Sequence, residues 1–351
     1  MLEVRTFTDG GQTELDVARD IASFLGDARS TLELAHYDFH LGEATAAIVA
    51  GELRAAVTRG VAVRVIYNVD HRNPIPVPPP PEPDAQLIGS LGAESRAIAG
   101  VPDLMHHKYV VRDSETVWTG SMNWTDDSFS RQENVVAFAR SQALAGRFRA
   151  NFEELWATGI VEQSGFVDTS PVGVGGRKIR PWFTPGNGPA LSNRIAKAIL
   201  RARRRVRIAS PVVTAAPVLA ALAQVQSERR IDVGGVVDQP QIGGVIYQWG
   251  VNGNRSWKLP LLMRALASDF SAKQSNAWSP QGGVHDFMHA KVTVADDVVF
   301  LGSFNLSRSG ELNAENVLEV ENADLADRLA VFVDGIRGRY PPVVLEEAAS
   351  A

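Results

Sequence analysis

The stretch Met105–Trp124 reads MHHKYVVRDSETVWTGSMNW. His106 and Lys108 stand two residues apart at the head of a strand-like run that ends at Asp113. A short turn follows, then a second run, Thr116–Gly120, closed by Ser121 and Asn123. On an extended chain a spacing of two sends side chains to one face, so His106 and Lys108 point together. His107 points the other way and reads as a packing residue. Almost the same string returns at Phe287–Ser307, FMHAKVTVADDVVFLGSFNLS. His289, Lys291 and Asp296 match His106, Lys108 and Asp113 at an offset of 289 − 106 = 183. Gly302, Ser303, Asn305, Glu315 and Asn316 match Gly120, Ser121, Asn123, Glu133 and Asn134 at 302 − 120 = 182. One residue fewer in the turn after Asp296 accounts for the change.

The repetition extends upstream. VRTFTDGG (Val4–Gly11) parallels IRPWFTPG (Ile179–Gly186), and each precedes a helical pattern. Val17, Ile21, Phe24 and Leu25 fall at i, i+4, i+7 and i+8, as do Leu191, Ile195, Ala198 and Ile199. Both sets form one apolar stripe of period 3.6. Strand-like segments follow each helix: TLELAHYDF and VAVRVIYNV in the first copy, RVRIASPVV and IDVGGVVD in the second. Alternation of this kind predicts an α/β fold with a largely parallel core. The expected organisation is two pseudo-symmetric α/β/α halves, residues 1–160 and 179–345, each with a mostly parallel mixed sheet. Residues 161–178, rich in Gly, Ser and Pro, read as the linker. NPIPVPPPPEPD (Asn73–Asp84) reads as an extended polyproline segment, either a connector or a rim over a site.

The chain has 351 residues, 45% hydrophobic and 21% charged, a composition suited to two globular units. It contains no cysteine, which excludes disulfides, thiolate metal sites and cysteine nucleophiles. The segment MLEVRTFTDGG lacks a basic region followed by an apolar one, and no apolar run is long enough to span a bilayer. A cytoplasmic location is therefore expected. The net charge is −5, so binding of a phosphate-bearing partner requires a local positive site.

Two sets of His, Lys, Ser and Asn, brought together, would make such a site. Two ammonium groups and two amides suit the non-bridging oxygens of a phosphodiester. A neutral imidazole can attack phosphorus, and a protonated one can supply the departing oxygen with a proton. The lysines provide the positive charge, so neither metal nor cofactor is expected. Each imidazole needs its far nitrogen held, and Glu133 and Glu315 are the candidates.

These residues resemble the two HKD motifs of the phospholipase D superfamily. The resemblance implies a fold in which the halves place both motifs across one active site. It implies a covalent phosphohistidine on one histidine and proton donation by the other, with water or an alcohol releasing the product. Carried over, His106, Lys108, His289, Lys291, Glu133 and Glu315 are catalytic, with His106 as nucleophile and His289 as acid. Ser121, Asn123, Ser303 and Asn305 bind the phosphate, and Asp113 and Asp296 support the motif. A chain with both motifs is expected to act as a monomer.

The substrate is a phosphodiester, with phospholipid favoured. Trp118, Trp124, Trp249, Trp257 and Trp278 lie near the motifs and could form a lipid-facing rim, although each also reads as a core anchor. No amphipathic anchoring helix stands out. The alternative is a nuclease. RARRRVR (Arg201–Arg207) could grip nucleic-acid phosphates, or serve a helix C-terminus and solvent. A non-catalytic phosphate-binding module is a third reading. His36 and His40 read as pocket-lining or as capped and exposed residues. His71 and His285 lie in loops and carry no signal, and a zinc pair of His285 with His289 is not expected.

Overall fold

In the computed structural model, residues 1–70, 82–266, 269–279 and 281–345 are described. His71 and most of the proline segment lie outside them.

Each half contributes one mixed sheet. In the first, the strands run from edge to edge in the order Leu2–Phe7, Gln132–Arg140, Thr116–Gly120, Lys108–Arg112, Thr31–His36, Ala62–Val69 and Glu94–Ala99. The second has the order Val172–Val174, Arg177–Phe183, Asn316–Glu321, Val298–Gly302, Val292–Ala295, Arg205–Ala209, Asp232–Asp238 and Phe270–Lys273. The two orders match strand for strand, with Val172–Val174 added at one edge. Parallel ladders join the last three strands of each, where helices make the crossovers. Elsewhere the neighbours are antiparallel, because the tight turns after Arg112 and Ala295 return the chain directly. The expected linker is shorter than 161–178: Val172–Val174 already pairs with Arg177–Phe183, since the turn Gly175–Gly176 closes a hairpin.

The helices form where the periodicity indicated. In Glu14–Gly26 the stripe Val17, Ile21, Phe24 and Leu25 is buried, and Thr13 caps the first turn by accepting from Asp16 N. In Gly188–Arg201, Leu191, Ile195 and Ile199 are buried, but Ala196 rather than Ala198 completes the buried face. Among the described residues no helix is long and apolar enough to cross a membrane.

The halves share a core. One apolar cluster joins Tyr109, Val135 and Phe148 to Ile179, Phe183, Val292 and Leu318. Each such fully buried side chain contributes on the order of 1.5–3 kcal/mol. Backbone pairing completes the seam. Phe287–Met288 adds in parallel to Gln132–Glu133, and Met105 bridges Ala314, whose carbonyl accepts from His106 N at 2.9 Å. Each motif histidine therefore enters beside the opposite half's Glu–Asn pair.

Candidate active site

The motif turns are built alike. Asp113 and Asp296 have φ of 53° and 51°, a left-handed conformation that Asp tolerates. The Asp113 carboxylate accepts from the backbone N–H groups of Arg29, Ser30 and Thr31. Asp296 accepts from those of Arg203, Arg204 and Arg205. Both carboxylates tie the turn to the loop before the sheet's central strand, a supporting position. Gly120 and Gly302 are required by close approach. A Cβ at Gly120 would lie 2.1 Å from Val135 O, and one at Gly302 would lie 2.0 Å from Asn316 O.

The ammonium groups repeat a local pattern. Lys108 Nζ donates to His106 O at 2.7 Å, and Lys291 Nζ donates to His289 O at 2.8 Å. Lys108 also lies over the Tyr37 ring, 4.7 Å from its centroid. All four side chains are buried. Burial lowers each of the four pKa values, and neighbouring basic groups add to it for His106, His289 and Lys291. His106 is held well below the usual histidine range by burial, then by Lys108, Lys291 and His289. His289 is lowered likewise by burial, Lys291 and Lys108. Lys291 is depressed by burial and by Lys108, whereas burial brings Lys108 down to about 7 against the pull of Glu315 and Asp38. Two basic pairs 183 residues apart thus lie close enough to act on one another, and an anion between them would relieve all four.

The imidazoles are held differently. His106 Nδ1 lies 2.8 Å from Glu315 Oε1, a contact across the seam. Burial pushes the Glu315 carboxyl up to about 8, opposed first by Lys108 and also by bonds from Ser303 and Asn313. His289 Nδ1 lies 3.3 Å from Asn134 Oδ1, and the ring also bonds the Ser121 backbone. Glu133, like Glu315, is expected to orient an imidazole, and here the structure differs. The fully buried Glu133 is bonded by Lys273 Nζ at 3.1 Å and by the Tyr340 hydroxyl. A full cation and a phenol outcompete a neutral imidazole for a buried carboxylate. The edge strand Phe270–Lys273 supplies that cation, whereas its counterpart Glu94–Ala99 ends in alanine, which leaves Glu315 to His106.

A family model described as "Cardiolipin synthase, PLD-like domain" matches residues 21–156 and 195–336, both halves of the repeat. The chain belongs to the phospholipase D superfamily. Curated relatives include mitochondrial cardiolipin hydrolases of Mus musculus, 27% identical over 146 residues, and of Xenopus laevis, 30% identical over 146 residues. Each match covers 41% of this chain, and 59% and 62% of the mouse and frog proteins respectively, less than two thirds of their length. Among solved structures, phosphatidylserine synthase of Haemophilus influenzae superposes with a TM-score of 0.66 at 12% identity, covering 98% of this chain and 87% of that one. Polyphosphate kinase of Porphyromonas gingivalis gives 0.58 at 12%, covering 95% and 50%. At these identities the structural likeness shows the fold alone.

Within the phospholipase D frame, the structure places the other sequence candidates as follows. Ser121 and Ser303 are fully buried and engaged by the frame rather than open to a phosphate. Ser121 Oγ donates to Asn134 Oδ1 at 2.7 Å, and Ser303 Oγ accepts from Asn316 N at 3.0 Å and bonds Glu315. Asn123 and Asn305 are part-exposed, each with its side-chain oxygen buried and without a partner among the described residues. His107 is fully buried on Tyr109 and Phe183, 3.3 Å from Asn316 Oδ1. His36 is buried against Trp118 and Trp124, while His40 is exposed. The tryptophan rim does not form. Trp118, Trp124 and Trp249 are core residues and Trp278 is half-buried, leaving Trp257 at 59% exposure.

Three features escaped the sequence reading. Asp38 is buried, with one oxygen that has no partner among the described residues, and is pushed up to about 8 by burial and by Asp127, against Lys108 and His285. His285 forms a 3.0 Å pair with Asp127 across the seam. Lys273 lies 3.0 Å from Asp9 as well as binding Glu133. None of these residues has an identical counterpart in the other half, so only their partners in space mark them.

Proposed function

We propose that this protein is a phosphodiesterase of the phospholipase D type, acting on phospholipid through a covalent phosphohistidine on His106. The observation that carries the reading is the unequal support of the two imidazoles. Glu315 accepts the proton-bearing Nδ1 of His106, so Nε2 keeps its lone pair, and the carboxylate neutralises the ring once it is bonded to phosphorus. His289 rests on an amide oxygen and a backbone carbonyl, neutral acceptors that leave its protonated form a readier acid.

In the first step His106 Nε2 bonds to phosphorus while the P–O bond to the leaving alcohol breaks. The departing oxygen takes the proton of His289. In the second step neutral His289 takes a proton from water, the water oxygen bonds to phosphorus, and the P–N bond returns its electron pair to His106. An alcohol in place of water gives transfer. Lys108, Lys291, Asn123 and Asn305 would hold the non-bridging oxygens. Ser121 and Ser303 would position Asn134 and Glu315.

For the substrate class, the names of the family model and of the curated relatives favour phospholipid. The arginine run adds little to a nuclease reading. Arg204 pairs with Asp297, Arg205 with Asp327, and Arg207 with Asp232 and Asp334, so much of its charge is neutralised. The test is one side-by-side assay in EDTA: phosphatidylcholine and cardiolipin vesicles with a primary alcohol, against single- and double-stranded DNA and RNA. Phosphatidyl-alcohol formation is expected. Cut strands without lipid turnover would transfer the reading to a nuclease.

A further inference from the structure

Between Asp232–Asp238 and Phe270–Lys273 the second half carries a helical hairpin, Gln239–Val251 and Arg255–Leu266. In the first half, the described residues of the corresponding connection hold only the short helix Ala85–Gly89. The hairpin buries Ile242, Ile246, Trp249, Leu262, Ala265 and Leu266, and yet exposes large apolar side chains: Tyr247 at 58%, Val251 at 70%, Trp257 at 59% and Met263 at 47%. Tyr247 and Val251 stand at i, i+4 on the first helix; Trp257 and Arg264 stand at i, i+7 on the second. Lys258 Nζ lies over both Trp249 and Trp257, at 5.3 and 5.1 Å, and joins the two helices near the tip.

The charge of this segment sets it apart. Residues 239–266 contain Arg255, Lys258 and Arg264 and no aspartate or glutamate, in a chain whose net charge is −5. The hairpin is also rooted at the site. Asp238 caps its first helix through Gln241 N and accepts from Met288 N at 3.2 Å, the residue before His289.

We infer that this hairpin docks the protein on an anionic phospholipid surface, with Val251 and Trp257 entering the headgroup boundary and the cations meeting lipid phosphates. An aromatic and aliphatic tip on a segment that carries cations and no carboxylate of its own is the pattern that partitions into an interface. A nucleic-acid surface would use the cations but not exposed valine and methionine. The docking rests on the phospholipid reading for its purpose, although not for its measurement.

The test is flotation of the full chain with vesicles of phosphatidylcholine, and with vesicles of an equal mixture with phosphatidylglycerol. Wild type is expected to bind the mixed vesicles more tightly, by about fivefold for each cation engaged. The double variant Val251→Glu/Trp257→Glu is expected to bind at least about tenfold more weakly. Both substitutions are at exposed positions, and an unchanged melting temperature checks the fold. Turnover of a short-chain phosphatidylcholine below its micellar concentration should stay within about twofold of wild type. Failure of wild type to float, equal binding by the variant, or an equal loss on the dispersed substrate would overturn the inference. So would a single-stranded DNA affinity that the same variant abolishes. Flotation lost in the variant, from a wild type that cleaves no lipid, would sustain the docking and refute the proposed function; lipid cleavage without flotation would do the reverse.

Discussion

His106 Nδ1 and Glu315 Oε1 lie 2.8 Å apart across a sequence separation of 209 residues. The opposite imidazole, on His289, is held at 3.3 Å by the amide of Asn134. A duplicated sequence has therefore folded into an unsymmetrical site, and the asymmetry has measurable consequences.

The first concerns the covalent step. His106→Ala and His289→Ala should each abolish phosphodiester cleavage while the protein stays folded. A denaturing alkaline quench with phosphorus-labelled substrate, which preserves the acid-labile P–N bond, should leave label on the peptide containing His106. Label on the peptide containing His289 would reverse the assignment of nucleophile and acid.

Glu315→Gln keeps the side-chain volume and removes the carboxylate. It should slow formation of the phosphoenzyme by roughly 10²–10⁴-fold in single-turnover measurements. Glu133→Gln should act mainly on stability, because Glu133 faces Lys273 and Tyr340. Equal losses of the chemical step in the two variants would contradict the unequal support.

Anion affinity should depend on pH. In the free protein burial brings Lys108 down to about 7, and a bound anion favours its charged form and raises that value. Binding then takes up a proton above pH 7. Sulfate affinity should fall as pH rises through 7, by up to about tenfold per unit for each proton taken up on binding. Calorimetry in buffers of different ionisation enthalpy reads the proton uptake directly. Lys108→Met should reduce the proton uptake measured near pH 7, leaving the part that the other buried groups of the site contribute.

The His285–Asp127 pair predicts a different profile. Burial alone would lower the His285 pKa, but the bond and charge of Asp127 more than offset this and leave it raised. A raised folded value means that stability is gained by protonation. The contribution is present in full below the unfolded histidine value of 6.5 and is lost as pH rises through the folded one. Asp127→Asn should flatten that part of the stability profile, and an NMR titration of His285 should shift to lower pH in the variant.

Gly302→Ala would put a methyl group 2.0 Å from Asn316 O, a backbone atom of the neighbouring strand. The ladder cannot give way there without moving Glu315. A loss of about 1–3 kcal/mol or more is expected in denaturant unfolding, together with loss of activity. Gly243→Ala, where a Cβ meets nothing within 4 Å, is the control.

Much of the fold was legible in the residues. The 183- and 182-residue offsets announce the duplication, and period-2 and period-3.6 patterns place the strands and helices around it. The pattern also put His106 with Lys108, and His289 with Lys291, on common faces, and the family resemblance set Asp113 and Asp296 apart from the phosphate. Such signals are readable because strand alternation, helix stripes and turn conformation are set by neighbours a few residues away.

Tertiary structure decided the rest. Which carboxylate reaches which imidazole depends on Lys273, a residue outside the repeat whose cation captures Glu133 only after the two halves have packed. The neutralising of the arginine run by Asp232, Asp297, Asp327 and Asp334 and the exposure of Trp257 among five tryptophans are of the same kind. Pairing energies of buried charges turn on separations of a few ångströms in a low-dielectric interior. Sequence order carries no record of those separations, so a symmetrical sequence could specify the parts of this site but not their unequal roles.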